Sequence, residues 1–299
     1  MNHSTPLFAM PTMEEGPAAP GKRVRCVAPE YRGTGLYHTL YLPPGWTPDP
    51  QKRFPVIVEY PGNLSPPSGS TGRIEDAGLG YGLTRDLDFI WIVLPFVDRA
   101  AGTHALTWWG DADGGADGNA DGDAAATAEY CVRAAEQACG EFGGDRSNLF
   151  LCGFSRGAIA VNYIGLRNPR IAGLWRGLIS HDHYDGVREW RGTDWGSPLD
   201  AYRKGALERL DRARGKRILI MQQGETESIR SYLGDWATRL DATMLDIPVR
   251  DIIPDIPNPQ VPHVHTDRWP YYASDVRDQA RSWILANLGP VGYPVGSVG

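Results

Sequence analysis

Five residues near the middle of the chain, Gly153-Phe154-Ser155-Arg156-Gly157, have the types and spacing of a nucleophile on a tight turn. An apolar run, 148–152, precedes them, and the small, helix-compatible stretch 157–161 follows. A serine on a sharp strand-to-helix turn projects its hydroxyl clear of the sheet, and glycines on either side let the neighbouring strand and helix approach. This context predicts that Ser155 is a nucleophile rather than an ordinary loop serine.

Strands and helices alternate along most of the chain. Two continuous apolar runs, 54–60 and 89–95, predict strands that are buried on both faces, as in a parallel sheet covered by helices. The remaining predicted elements are strands at 23–26, 35–42, 174–180, 217–221 and within 242–253, and helices at 74–83, 124–142, 198–214, 228–240 and 273–288. The pattern predicts a doubly wound, mostly parallel α/β sheet with helices on both faces.

Composition places the chain among ordinary globular proteins, with 41% hydrophobic and 22% charged residues. Its net charge of -6 argues against nucleic acid or an anionic membrane as the main partner, because both are bound by basic surfaces. No apolar run of about 18 residues predicts a membrane span. The start, residues 1–6, lacks the basic and apolar regions of a signal peptide, so a cytoplasmic location is expected unless a leader was removed.

A single domain is expected over residues 22–290. The stretch 1–21 is rich in Pro, Gly, Ala and Met and predicts a mobile or surface-draped N-terminal arm, and 291–299 is a C-terminal tail. The four cysteines do not indicate a disulfide framework: Cys131 and Cys139 lie on one predicted helix, about 12 Å apart along its axis, and cannot pair with each other. Cys26 could still pair with another cysteine.

With its elbow serine followed by acidic residues and then histidines, the sequence resembles the α/β-hydrolase family over roughly residues 35–288. The segment Tyr41-Leu42-Pro43-Pro44-Gly45 followed by Pro55-Val56-Ile57-Val58 is similar to the opening of single-domain esterases in that family. The resemblance implies a serine esterase without a cofactor. It also implies an imidazole that takes the serine proton and a carboxylate that orients the imidazole.

The resemblance implies that the acid follows the strand 217–221. The family often has Gly-x-x-Asp there, and Gly224-Glu225-Thr226-Glu227 places Glu227 in register. Glu225 is the close alternative, and either glutamate could instead cap the next helix, where carboxylates are favoured. Asp182 or Asp185, after the preceding strand, is a further possibility, because some hydrolases of this fold carry the acid there.

The resemblance places the base between the last strand and the last helix, where the sequence has His263 and His265. His265 is preferred because it lies nearer the helix and follows a Pro-rich loop, which leaves His263 as a neighbouring or surface residue. The oxyanion of acyl transfer needs two backbone N–H donors. These are expected from Arg156, just after the nucleophile, and from Gly62 or Asn63, since Pro61 has no N–H.

Four residues near the expected site are candidates for substrate binding: His181 and Tyr184 at the pocket mouth, and Trp108 and Trp109 as its walls. Core packing explains the tryptophans equally well. The Arg156 side chain either forms a solvent-facing salt bridge or holds an anionic substrate group. The short stretch 181–197 predicts a minimal lid and an open cleft that admits a bulky or polymeric ester. The expected partner is therefore a small-molecule or polymeric ester substrate.

Metal sites are weak candidates. Asp117-x-Asn119-x-Asp121-Gly122 resembles the start of a calcium loop, but the closing position, 128, is Ala and Glu129 is one residue late. His181-Asp182-His183 has the donors of a zinc site without an evident third ligand outside the triplet. The sequence therefore predicts no metal.

The sequence as a whole predicts a serine hydrolase that cleaves a carboxylic ester through an acyl-enzyme. A peptidase or an acyltransferase would use the same residues. A non-catalytic binding protein that keeps the elbow is the alternative from a different class, suggested by the absence of Gly-x-x-Asp. The substrate and the oligomeric state do not follow from the sequence.

Overall fold

A computed structural model describes residues 5–110, 122–187, 199–224 and 226–290. The strands are β1 (Met13–Glu14), β2 (Arg23–Cys26), β3 (His38–Tyr41), β4 (Phe54–Tyr60), β5 (Ile90–Val93), β6 (Phe96–Asp98), β7 (Thr103–Ala105), β8 (Gly144–Phe154), β9 (Gly177–His181), β10 (Arg217–Gln222) and β11 (Ala242–Asp246). The helices are α1 (Leu79–Thr84), α2 (Ala124–Glu141), α3 (Arg156–Tyr163), α4 (Pro169–Ala172), α5 (Leu199–Leu210), α6 (Thr226–Leu233), α7 (Asp235–Arg239), α8 (Val249–Ile252) and α9 (Asp275–Ala286).

Nine strands form one sheet in the order β1-β2-β3-β5-β4-β8-β9-β10-β11. The strands from β5 to β11 in this order are parallel, whereas β3 is antiparallel to both β2 and β5. The long strand β8 lies between β4 and β9. Because the carboxyl ends of parallel strands meet at one edge, the turns after β4, β8 and β9 lie side by side there.

The two faces of the sheet carry separate apolar cores. Along β8, Leu149 and Leu151 pack with α2, α3 and α6 on one face, while Phe150 and Cys152 pack with α1, α8 and α9 on the other. This alternation within a continuous apolar strand is what burial on both faces requires. The predicted doubly wound α/β fold is confirmed.

The predicted N-terminal arm is partly packed on the domain. Between residues 5 and 21, β1 pairs with β2. The Leu7 amide donates to the carbonyl of Tyr271 at 2.8 Å, and the Phe8 ring lies 4.9 Å from the Tyr271 ring. The Pro- and Gly-rich composition of this segment predicted mobility, because composition does not reveal the few aromatic and backbone contacts that the segment makes. The predicted tail, 291–299, lies outside the described residues.

Several elements differ from the sequence prediction. The helix expected over 228–240 is divided into α6 and α7 at Gly234, which has a φ of 49°. The hairpin β6–β7 and the short helices α4 and α8 were not predicted, because each is too short to show a periodic pattern. All four cysteines are free thiols. Within the described ranges, no helix combines the length and apolar character that a bilayer crossing would need.

Candidate active site

Ser155 lies on the turn between β8 and α3, as the motif predicts. Its backbone has a φ of 56° and a ψ of -118°, which is strained for a residue with a Cβ. A Cβ added to Gly153 would collide with the backbone of Gly157, and one added to Gly157 would collide with the carbonyl of Tyr60. Both glycines are therefore required for the turn, which leaves the partly exposed serine at the carboxyl edge of the sheet.

The carboxylate nearest the predicted base is Asp182, the residue that follows β9. Its Oδ2 lies 3.0 Å from Nδ1 of His265, and its Oδ1 accepts the backbone N–H of Gln223 at 2.8 Å. Burial alone would raise the pKa of this carboxyl. The electrostatic interaction with the neighbouring His181 ring, the hydrogen bond from His265 and the Gln223 amide together outweigh burial, so the pKa is held below its usual range. Asp182 is therefore an ionised acceptor that orients His265.

The structure does not place the preferred acid, Glu227, with the histidines. It lies in the first turn of α6 and is exposed. Glu225 lies outside the described residues. Asp185 is buried and hydrogen-bonded to Tyr202 and Arg209, at 2.6 Å and 3.0 Å, so its contacts are those of a structural ion pair.

His265 is the predicted histidine that the structure brings to the site. Its side chain is about one-fifth exposed, and its ring lies 4.5 Å from that of Phe154, the residue before the nucleophile. His263 is exposed, and its Nδ1 accepts the backbone N–H of His265 at 3.0 Å. His263 thus shapes the turn that carries His265.

A third histidine, which the sequence analysis did not assign to catalysis, lies at the serine. Nδ1 of His183 is 3.3 Å from Oγ of Ser155. The His183 ring is also stacked on His265, with centroids 4.6 Å apart and planes inclined by 26°. The sequence shows His183 only as one member of the His-Asp-His triplet; its place two residues beyond the end of a strand next to β8 was the available signal.

His181 does not line the pocket mouth as predicted. Its ring is fully buried, with Nε2 3.0 Å from Nε1 of Trp269 and 3.0 Å from the carbonyl oxygen of Thr266. Trp269 has only an N–H to offer, so Nε2 of His181 accepts that bond. His181 therefore ties the end of β9 to the loop that carries His265.

Two other predicted substrate contacts are also wrong. Trp108 is fully buried and stacked on Phe96, with centroids 5.6 Å apart. Tyr184 is buried within the core on the α2 face of the sheet. Both aromatic side chains are used for core packing, the alternative that their size allows.

Arg156 and Trp109 form a contact that the sequence did not predict. The Arg156 side chain is 3% exposed, and its guanidinium lies 4.0 Å from the centroid of the partly buried Trp109 ring. A cation over an indole face is a favourable arrangement. The Arg156 side chain is therefore buried rather than solvent-facing as expected.

The turn after β4 adjoins the nucleophile. A Cβ added to Gly62 would lie 3.4 Å from Cβ of Ser155. The next residue, Asn63, is held by its side chain: Nδ2 donates to the carbonyl of Trp108, and Oδ1 accepts the Trp108 amide, both at 3.0 Å. This double hydrogen bond fixes the backbone of the turn beside Ser155.

A buried carboxylate on β4 joins this strand to the start of α1 and to β5. Glu59, on β4, accepts the amides of Leu79 and Gly80 and the indole N–H of Trp91, at 2.8–2.9 Å. Burial, reinforced by the nearby charge of Asp267, raises the pKa of Glu59 to about 7, although these three donors oppose the shift.

A small crevice of about 120 Å³ opens next to His265. Its lining includes Gly62, Phe154 and His265 together with the polar side chains of Ser70, Arg73 and Asp76. Among the described residues, no group of three or more His, Cys, Asp or Glu side chains could hold a metal ion. The His-Asp-His triplet is therefore not a metal site of this kind. The calcium candidates Asp117, Asn119 and Asp121 lie outside the described residues.

No protein-family profile matches this sequence, and no curated protein does. Solved structures do match. A thermostable esterase is 12% identical with a TM-score of 0.53, over 88% of this chain and 62% of that one. The fluorophosphonate-binding serine hydrolase FphF of Staphylococcus aureus is 13% identical with a TM-score of 0.56, over 91% and 100%.

An S-formylglutathione hydrolase from Agrobacterium tumefaciens is 15% identical with a TM-score of 0.56, over 94% of this chain and 100% of that one. At these identities the likeness concerns the fold. It agrees with the strand order, with the antiparallel β3 and with the turn between β8 and α3. The chain has the α/β-hydrolase fold.

Proposed function

We propose that this protein is a serine hydrolase that cleaves a carboxylic ester through an acyl-enzyme. The observation that carries the proposal is the 3.0 Å hydrogen bond between Asp182 and His265 beside a serine on a strained elbow. Strain retained at such a turn is typical of functional sites. In this proposal Asp182, rather than Glu227, is the orienting acid.

The three side chains divide the proton transfer among them. Asp182 accepts the proton on Nδ1 of His265, which leaves Nε2 of that ring as the base. As Oγ of Ser155 attacks the acyl carbon, its proton passes to Nε2, and the ionised Asp182 stabilises the imidazolium. The same proton then passes to the leaving alcohol, and water deacylates the serine by the reverse sequence.

Two backbone N–H groups stabilise the negative charge that develops on the carbonyl oxygen of the substrate. Arg156 supplies one N–H at the start of α3, where the helix dipole favours an anion. Asn63, with Gly62 as the alternative, supplies the second from the turn that adjoins Ser155. The fixed Asn63 side chain supports this assignment, because a preorganised donor needs no reorientation as charge develops.

The substrate is an ester with a small polar group on one side of the scissile bond. The crevice beside His265 supports this, since hydroxyl, guanidinium and carboxylate side chains are among the groups that line it. Two of the similar structures are an esterase and an S-formylglutathione hydrolase, which supports a hydrolase that acts on an ester. No cofactor is needed for this chemistry.

Two alternatives use the same fold. A peptidase or acyltransferase would need the same three residues. A binding protein without catalysis was suggested by the missing Gly-x-x-Asp, and the contact between Asp182 and His265 removes that argument, because an acid is present after the neighbouring strand.

The test is hydrolysis of a panel of p-nitrophenyl esters and matched anilides by purified protein, with and without alcohol acceptors. We expect ester turnover and labelling of Ser155 by a fluorophosphonate, both absent in Ser155→Ala. Faster anilide cleavage or preferential transfer to alcohols would favour the alternatives. An unlabelled Ser155 with no turnover of any substrate would contradict the proposal.

A further inference from the structure

The serine in this structure is hydrogen-bonded to a histidine other than the proposed base. Of the described residues, His183 alone has a side chain hydrogen-bonded to Oγ of Ser155, with Nδ1 at 3.3 Å. His265 lies behind it, stacked on the His183 ring at 4.6 Å and hydrogen-bonded to Asp182. The imidazole that contacts the hydroxyl is therefore His183, and the mechanism above does not use it.

Unfavourable backbone conformations bring His183 to this position. Asp182 and His183 are consecutive, and both have left-handed φ values, 54° and 56°. Residues with a Cβ rarely adopt this region, and two in succession persist only where the surroundings impose them. As a result, the two neighbouring side chains form different hydrogen bonds: Asp182 contacts His265, and His183 contacts Ser155. The strain is thus located at the two residues that contact the catalytic groups.

The hydrogen bonds of the stacked pair assign different roles to its rings. Asp182 accepts the proton on Nδ1 of His265, so the lone pair on Nε2 is the basic site of that ring. The His183 ring is stacked on it, with centroids 4.6 Å apart, and its Nδ1 faces Oγ of Ser155. With the ring proton on Nε2, Nδ1 of His183 has a lone pair that accepts a hydrogen bond.

We propose that His183 is a second catalytic histidine, whose Nδ1 accepts the Ser155 hydroxyl and holds Oγ beside His265. This inference rests on the proposed function. When the acyl group arrives, the hydroxyl turns its proton from Nδ1 of His183 to Nε2 of His265. The proton passes from Oγ to Nε2, and Oγ bonds to the acyl carbon as the carbonyl π pair moves to oxygen. The carbon–alkoxy bond then breaks, and the proton moves from His265 to the leaving oxygen. His183 neither gains nor loses a proton.

Three substitutions of His183 separate this role from packing. His183→Asn retains an oxygen acceptor close to the position of Nδ1. His183→Phe keeps an aromatic ring against His265 without an acceptor, and His183→Ala removes both. Because a single hydrogen bond contributes about a factor of ten, we expect the Phe and Ala variants to lose about tenfold in kcat, with KM within about twofold of the wild type. Labelling of Ser155 by a fluorophosphonate slows by the same factor, and the Asn variant recovers most of both rates.

The variants are compared with His265→Ala, which is expected to lose about 10³–10⁴-fold in kcat. Thermal melting checks that each variant is folded. If His183→Ala does not fold, the comparison of His183→Asn with His183→Phe is sufficient to test the inference. A wild-type kcat in both Phe and Ala, an Asn variant as slow as Phe, or a greater loss at His183 than at His265 would overturn this inference. By contrast, a fully active Ser155→Ala would reject the proposed function itself.

Discussion

The carboxylate of Asp182 and Nδ1 of His265 lie 3.0 Å apart, although 83 residues separate them in the chain. The contact forms because β9 lies next to β8, so that the residue after β9 emerges beside the elbow serine. The backbone of Asp182 is fixed as well, since its N–H donates to the carbonyl of Met221 at 2.9 Å. An acid that directly follows β9, the strand beside β8, can therefore reach the loop that carries His265.

Replacement of Asp182 tests this assignment. In Asp182→Asn the side chain keeps its shape but loses the charge that stabilises the imidazolium. We expect kcat for a p-nitrophenyl ester to fall by about 10²–10⁴-fold, with a small change in KM. Glu227→Gln is the matched control, because it removes a carboxylate from the exposed first turn of α6. An active Asp182→Asn paired with an inactive Glu227→Gln would return the role to Glu227.

The sequence predicted those parts of the site that depend on local chemistry. The elbow motif determines the backbone at Ser155, because its glycines are the residues that a sharp turn between β8 and α3 tolerates. His265 was also predicted, since only two histidines follow the last strand. Most strands and helices of the sheet were predicted because continuous apolar runs and long helical patterns are strong local signals.

The sequence did not distinguish residues by their tertiary contacts. Asp182 and Glu227 both follow a strand, and only the sheet order decides which carboxylate meets the histidine. The same holds for the His-Asp-His triplet, where alternation along an extended segment would place both histidines on one side. The left-handed φ values of Asp182 and His183 break that alternation, so His181 is buried under the loop and His183 faces the serine. Backbone strain of this kind has no signature in the residue types.

Glu59 predicts an unusual dependence of stability on pH. Its pKa is about 7 in the folded protein, against an ordinary value of about 4.5 when unfolded. Between these values the unfolded chain releases the proton and the folded protein retains it, so rising pH favours unfolding. The free energy of unfolding therefore loses about 3 kcal/mol from pH 4.5 to above pH 7 through this group.

The measurement is a urea titration of the wild type and of Glu59→Gln at several pH values from 4.5 to 8. Glutamine does not titrate, so the stability advantage of the wild type over the variant should shrink as pH rises. A difference that is constant, or that grows with pH, would show that Glu59 is ionised throughout this range.

Asn63 is predicted to act through the position of its backbone. Asn63→Ala removes both hydrogen bonds to the Trp108 backbone, which leaves a buried amide and carbonyl without these partners. We expect a loss of about 1–3 kcal/mol in the free energy of unfolding. If the Asn63 N–H receives the oxyanion, kcat should also fall by about 10–10³-fold at nearly constant KM. An unchanged kcat in a destabilised variant would exclude this turn from the oxyanion site.

His181 is predicted to hold the loop that carries His265. The change His181→Ala removes a fully buried ring that accepts the Trp269 indole N–H, and the cavity and the orphaned donor together should lower the free energy of unfolding by about 2–5 kcal/mol. Because the loop then loses its anchor to β9, kcat per folded molecule should fall by at least about tenfold.

The matched control is His38→Ala, a second buried histidine whose Nδ1 is 3.1 Å from the hydroxyl of Tyr130, away from the serine. That variant should be destabilised to a similar degree but should keep its kcat when the rate is corrected for the folded fraction. Circular dichroism gives the folded fraction, and active-site titration with a fluorophosphonate gives the concentration of competent enzyme. Equal losses of kcat in the two variants would mean that His181 supports overall stability alone. A loss confined to His181→Ala would show that the position of His265 depends on the buried ring beneath it.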